Sequence, residues 1–323
     1  MGAKVWPSLP LCGLGGMFFG LMAGLVLGIA NDQLDQRFRS NRDFQDAIDI
    51  PIVGRIGRQR QPDGLKGLMA MARSMEAEEI RKIRTILLPR IKASELRTLT
   101  ITSPLSQDGK TTIQSSLAVS FAQLKLDVLL IDADMRRPTA HQLLSVPLED
   151  GLADVLEGSL DLVEAIKPTE MEHLSIITAG TAPLYPSELL ESERFDELLE
   201  TLSEHYQLIL VDVGPVLAVA DPCVISRKTD GTLLVVRPGN DTRDQVHDTM
   251  ERLRAVDAPL VGCVVNMHGA SGFEGADAYY GNYAQAYGNY ARAMKNIAKQ
   301  AVNGEMHGDV TAPRMKSPSG EDA

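Results

Sequence analysis

The stretch TLTITSPLSQDGKTT, Thr98 to Thr112, decides the fold. A β-branched run leads into a polar loop with a glycine, and the loop opens onto the apolar-periodic stretch Ile113 to Leu124. Strand, loop and helix N-terminus in that order suit a polyphosphate. The free backbone N–H groups at the start of a helix, and its dipole, both favour negative charge. In such a loop Lys110 reaches the β- and γ-phosphates and Thr111 places its hydroxyl on Mg²⁺. The strict motif asks for glycine five residues before Gly109, where Pro104 stands.

Five more short runs have strand character: Val128–Asp132, Leu174–Thr178, Leu208–Val213, Thr232–Val236 and Leu260–Asn266, joining Thr98–Ser103. Most are apolar throughout, as strands buried on both faces are, and helical stretches separate them. The expected fold is an α/β, P-loop NTPase-type, doubly wound and mostly parallel sheet with flanking helices. Two of the runs end in acids: VLLIDADMRR carries Asp132 and Asp134, then Arg136, and LILVDVGP carries Asp212. In a parallel sheet these ends converge on one crevice with the loop after Thr98–Ser103. Taken singly, each aspartate is an ordinary loop start or helix cap. Together they are candidates to hold Mg²⁺ and its waters, and the pair after the second run adds a candidate base for an attacking hydroxyl.

The chain has 323 residues and a net charge of −11, which argues against a broad nucleic-acid-binding face. Three scattered cysteines suggest a reducing compartment, and the six histidines lack the spacing of a structural zinc site. Leu11 to Ala30 is free of charge and long enough to cross a bilayer. A cleaved signal peptide is the rival, but the run exceeds the usual signal core. Arg37, Arg39 and Arg42 follow the run, against Lys4 before it, which places the C-terminal side in the cytoplasm. Gly16, Gly20, Gly24 and Gly28 form one small-residue face, suited to close helix packing in lipid.

The organisation expected is a short segment 1–10, a transmembrane helix 11–30, a juxtamembrane linker 31–64, a catalytic domain 65–268, a tyrosine-rich tail 269–302 and a disordered tail 303–323. The stretch AYYGNYAQAYGNY, Ala278 to Tyr290, holds five of the seven tyrosines. Tyr279, Tyr283, Tyr287 and Tyr290 also fall on one helical stripe, although the glycines and asparagines among them are poor helix formers.

At these residues the chain resembles the bacterial tyrosine kinase (BY-kinase) family, the cytoplasmic kinase part of capsular and exopolysaccharide co-polymerase proteins. Ser103 to Thr111 is similar to that family's Walker A, Asp132-x-Asp134-x-Arg136 to its Walker A′, and Asp212-x-x-Pro215 to its Walker B. The likeness extends through Gly151–Gly158, Ala179–Ser192 and Asp230–Arg237. It implies ATP and Mg²⁺ as cofactors. Ser106, Gln107, Asp108, Gly109, Lys110, Thr111 and Thr112 would form the nucleotide loop, with Arg136 a further contact and Asn266 a candidate for adenine. Thr111, Asp132 and Asp212 would hold the metal, and Lys110, Asp132, Asp134 and Asp212 would be the catalytic set.

The resemblance makes Tyr279, Tyr280, Tyr283, Tyr287 and Tyr290 an autophosphorylation cluster. It also turns Glu78, Arg81 and Arg84, whose spacing otherwise reads as a solvated face with i,i+3 ion pairs, into a ring-assembly interface. Implied partners are other copies of the chain, the bacterial inner membrane, a separate co-polymerase or activator, the polysaccharide polymerase and export machinery, and a tyrosine phosphatase. Pro7–Pro10 is similar to the entry into the family's second span, so the chain is expected to be a fragment or one half of a split system. Two departures stand out. Ser106-Gln107 replaces the frequent Pro-Gly, predicting a restricted loop. Leu105 stands where ParA/MinD-type ATPase switches carry a lysine, which counts against that alternative; a catalytically weak scaffold is the other.

Overall fold

A computed structural model of the protein describes residues 9–34, 38, 44, 48–57, 62–71 and 75–268. The chain divides into two compact units, Met1–Arg37 and Phe38–Ala323. The first contains helix α1, Leu9–Leu34. Its described side chains, residues 13–28, are exposed, Phe18 and Phe19 among them. Among the described residues, no helix is long and apolar enough to cross a membrane.

The second unit is built on eight strands: β1 (Ile52–Gly57), β2 (Thr98–Thr102), β3 (Val128–Asp132), β4 (Lys167–Pro168), β5 (Leu174–Ile177), β6 (Leu208–Asp212), β7 (Gly231–Val236) and β8 (Leu260–His268). They lie in the order β1-β8-β7-β2-β6-β3-β5-β4. Every pairing is parallel except β4 with β5. All six strands expected from the sequence form, with ends shifted by a residue or two. Their apolar runs serve two cores at once. In β6, Leu208 and Leu210 point into one hydrophobic cluster and Ile209 and Val211 into the other.

Four helices cover the first face: α2 (Gly64–Met71), α3 (Met75–Lys92), α4 (Lys110–Ala122) and α5 (Ala140–Leu144). The opposite face carries α6 (Leu152–Glu157), α7 (Leu162–Ala165), α8 (Pro186–Glu191), α9 (Glu193–His205) and α10 (Asp221–Ser226), and α11 (Arg243–Ala255) packs there over β7 and β8. Helix α4 is the most deeply set, with Leu117, Ala118 and Phe121 fully buried.

The segment expected as a juxtamembrane linker, 31–64, is corrected in part. Ile52–Gly57 is a strand of the sheet, paired in parallel with β8. Gly54 explains why the segment reads poorly as a strand. A Cβ there would sit 2.4 Å from Cγ1 of Ile83, so the bare backbone is what lets α3 lie on β1. Phe38 and Phe44, also within that segment, meet edge to face with centroids 4.8 Å apart and are buried with Val236 and Met250. The short β4 was not foreseen, since two residues carry no periodicity.

Candidate active site

The strand order sets β2, β6 and β3 side by side, with Ile101 opposite Asp212 and Asp212 opposite Asp132. The carboxyl ends of these strands and the N-terminus of α4 therefore meet. Lys110 is the first residue of α4, and its Nζ donates to Asp134 Oδ2 at 3.1 Å and lies 3.6 Å from Asp212 Oδ1. Thr111 donates its hydroxyl to Asp212 Oδ2 at 2.7 Å. Asp132 is fully buried and accepts the backbone N–H of Ala140 at 3.1 Å and of Asp134 at 3.3 Å. Thus the structure brings together Lys110, Thr111, Asp132, Asp134 and Asp212.

One ammonium faces three carboxylates in a dry setting. Burial raises the pKa of Asp132 and Asp212; for Asp132 the charge of Asp212 adds to it, while for Asp212 the Lys110 ammonium opposes it. Burial alone would lower the Lys110 ammonium, but the charges of Asp212, Asp134 and Asp132 outweigh it and raise it. The excess of negative charge suits a further cation. Asp212 Oδ1 supports this, being a buried oxygen without a hydrogen-bond donor. Among the described residues, no three His, Cys, Asp or Glu side chains are grouped to hold a metal by themselves. Mg²⁺ is usually held by one or two carboxylates together with substrate phosphates.

The loop before Lys110 is tied from behind. Gly109 has φ of +89°, a left-handed conformation that suits glycine. Asp108 turns inward, where Oδ2 accepts the N–H of Leu105 at 2.9 Å and Oδ1 the side chain of Asn240 at 2.8 Å. Arg237 donates to the carbonyl of Gln107 at 3.0 Å. Ser106 and Gln107 are exposed, Thr112 is half-buried, and Gln107 has φ of +70°, the restriction expected of a residue in a glycine position. Asn266, the candidate for adenine, lies against the loop, where its Nδ2 donates to the carbonyl of Asp108 at 2.5 Å. Arg136 is held sideways, donating to Asp221 and Ser187, each at 3.0 Å.

Arg237, Asn240 and Asp241 were missed in the sequence. They follow β7, and only the position of β7 beside β2 brings them to the loop. In α3, Arg81 pairs with Glu78 at 2.9 Å, while Arg84 donates to the carbonyl of Ser120 at 2.8 Å and so ties α3 to α4. The tyrosines from Tyr279 to Tyr290 lie outside the described residues.

Comparison with known proteins agrees with this geometry. A family described as an AAA domain matches residues 106–240. Tyrosine-protein kinase YwqD of Bacillus subtilis is 33% identical over 198 residues, 61% of this chain and 84% of that protein. Tyrosine-protein kinase wzc of Salmonella typhi is 32% identical over 86% of this chain but only 40% of its own length. The chain spans about two-fifths or less of the long curated relatives it matches. The solved kinase domain of Escherichia coli tyrosine kinase ETK superimposes with a TM-score of 0.63 at 30% identity, covering 70% of this chain and 95% of that one. On the sequence shared with YwqD, and with the site's carboxylates and lysine in place, the chain belongs to the bacterial tyrosine-protein kinase family.

Proposed function

We propose that this chain is an ATP- and Mg²⁺-dependent protein-tyrosine kinase that modifies its own cluster, Tyr279, Tyr280, Tyr283, Tyr287 and Tyr290, between copies. The observation that carries the reading is the convergence of Lys110, Thr111, Asp132, Asp134 and Asp212 at the carboxyl edge of β2, β6 and β3. Lys110 binds phosphate oxygens from the start of α4, with the backbone of Ser106 to Thr112 around them. Thr111, Asp212 and Asp132 hold the metal and its waters. Asp134, more open than Asp212 at 11% against 1% side-chain exposure, receives and orients the tyrosine hydroxyl. Bound Mg·ATP supplies the phosphoryl group and charge stabilisation at the transferring phosphorus. Because β8 runs parallel to its neighbours, the chain leaves the sheet at the edge that holds the site.

The same reading places the uncharged run 11–30, which lies within α1, in the bacterial inner membrane with the kinase unit in the cytoplasm. It gives the protein a role in capsular or exopolysaccharide polymerisation and export. Ring assembly would use Glu78, Arg81 and Arg84, and the further partners would be a membrane co-polymerase or activator, the polymerase and a phosphatase.

The test is incubation of the full chain in lipid with Mg·ATP, beside Lys110→Met, followed by phosphate mapping by mass spectrometry. Phosphate on the cluster in the wild type alone is expected. ATP consumed with every tyrosine clean would replace the kinase with an ATP-driven switch.

A further inference from the structure

Behind the phosphate loop lies a second pair of acids that the reaction does not use. Asp108 and Asp241 are both fully buried. Asp108 sits in the loop, two residues before Lys110. Asp241 sits in the turn between β7 and α11, where Oδ2 accepts the N–H of Arg237 at 2.6 Å. Its Oδ1 is buried without a donor. Asp241 directly follows Asn240, whose side chain bonds Asp108, and burial, then the charge of Asp108, push Asp241 up to about 8. Burial pushes Asp108 up to about 6 against the hydrogen bonds from Asn240 and Leu105.

Two ionised carboxylates in one dry site repel, and one proton between them removes the repulsion. The same proton gives the orphan Oδ1 of Asp241 its partner. We propose that Asp241 is a positioning residue for the phosphate loop, sharing one proton with Asp108 so that the turn after β7 latches the loop that presents Lys110. The latch is reinforced by Arg237 on the carbonyl of Gln107 and by Asn266 on that of Asp108. With one proton the pair holds; without it, Gln107 to Gly109 are pushed from the turn and the nucleotide site loosens.

The ionisable groups around the pair fit this assignment. Arg237 favours the ionised form of both acids but is outweighed by burial, and at Asp241 by the charge of Asp108 as well. On β8, the thiol of Cys263 is pushed up by burial and by Asp241, and stays neutral; Arg55 of β1 faces that thiol. Arg243 and Asp244 open α11 just beyond. For an acid raised in the folded state, stability is present below the unfolded value near 3.9 and is lost as pH climbs through the folded value. The proton on Asp241, whose folded value is pushed up to about 8, is therefore lost on the alkaline side.

This inference rests on the nucleotide reading of the loop, so the experiment separates the two. Affinity for a fluorescent Mg·ADP analogue and the melting temperature of nucleotide-free protein are followed from pH 7 to 9, in wild type and Asp241→Asn. The asparagine keeps an acceptor for Arg237 and offers Asp108 a donor that does not titrate. Expected is a fall in wild-type affinity of about fivefold or more, less than twofold in the variant, and an alkaline melting loss in the wild type alone. A flat wild-type affinity overturns the latch even if the variant does not fold, and so does an equal fall in both proteins. No binding at any pH overturns the nucleotide reading; equal alkaline melting losses would then overturn the latch as well.

Discussion

The contact between Gly109 and Asn266 can be tested by a double-mutant cycle. An added Cβ at Gly109 would lie 2.2 Å from Nδ2 of Asn266, far inside van der Waals contact. Gly109→Ala therefore carries two costs. The left-handed φ of +89° costs an L-residue about 1–2 kcal/mol. The Asn266 amide must also retreat, breaking its 2.5 Å bond to the buried carbonyl of Asp108, which costs about 1–3 kcal/mol. The sum is about 2–5 kcal/mol. Asn266→Ala alone loses the same hydrogen bond, about 1–3 kcal/mol. In the double variant the alanine methyl has room and the bond is already gone, so only one hydrogen bond is lost. The double variant should be no less stable than Gly109→Ala alone, with a coupling of about 1–3 kcal/mol. Urea unfolding followed by circular dichroism measures all four proteins. Costs that simply add, to within about 0.5 kcal/mol, would refute the shared contact.

Two further outcomes follow from the backbone and the charges. Gln107→Gly should leave stability unchanged or raise it by up to about 1 kcal/mol, because relief of the left-handed strain at +70° offsets the added freedom of the unfolded chain, whereas Gln107→Val should lower it; urea midpoints decide. Asp154 accepts the N–H groups of Gly151 at 2.9 Å and Thr181 at 3.1 Å, and these bonds outweigh burial to hold its carboxyl below the usual range. Its contribution is present above about pH 4 and is lost as pH falls through the folded value, so Asp154→Asn should flatten the acid limb of the melting profile. An unchanged acid limb would refute that role.

The strands most legible in the sequence were those buried on both faces, because an apolar run such as Leu208–Val211 cannot sit at a surface and fills both cores at once. The acids of the candidate site were legible for a related reason. Asp132 and Asp212 each end such a run, and any parallel sheet delivers strand ends to one edge, so their convergence needed no knowledge of strand order. Residues whose task depends on that order stayed hidden. Arg237, Asn240 and Asp241 reach the phosphate loop only because β7 lies beside β2, although the end of β2 at Thr102 and the start of β7 at Gly231 are 129 positions apart in sequence. Asn266 lies near the end of the next strand out, and the same neighbourhood turns it toward Asp108. Strand β1 was hidden by its glycines, which read as linker, yet one of them, Gly54, is where Ile83 of α3 comes closest to the strand. Chemistry at strand ends is therefore written locally, whereas the supports that hold a phosphate loop in place are written in the order of the sheet. That is why the residues most exposed to error in reading the sequence are those behind the loop, and why the cycle at Gly109 and Asn266 probes the fold and the site together.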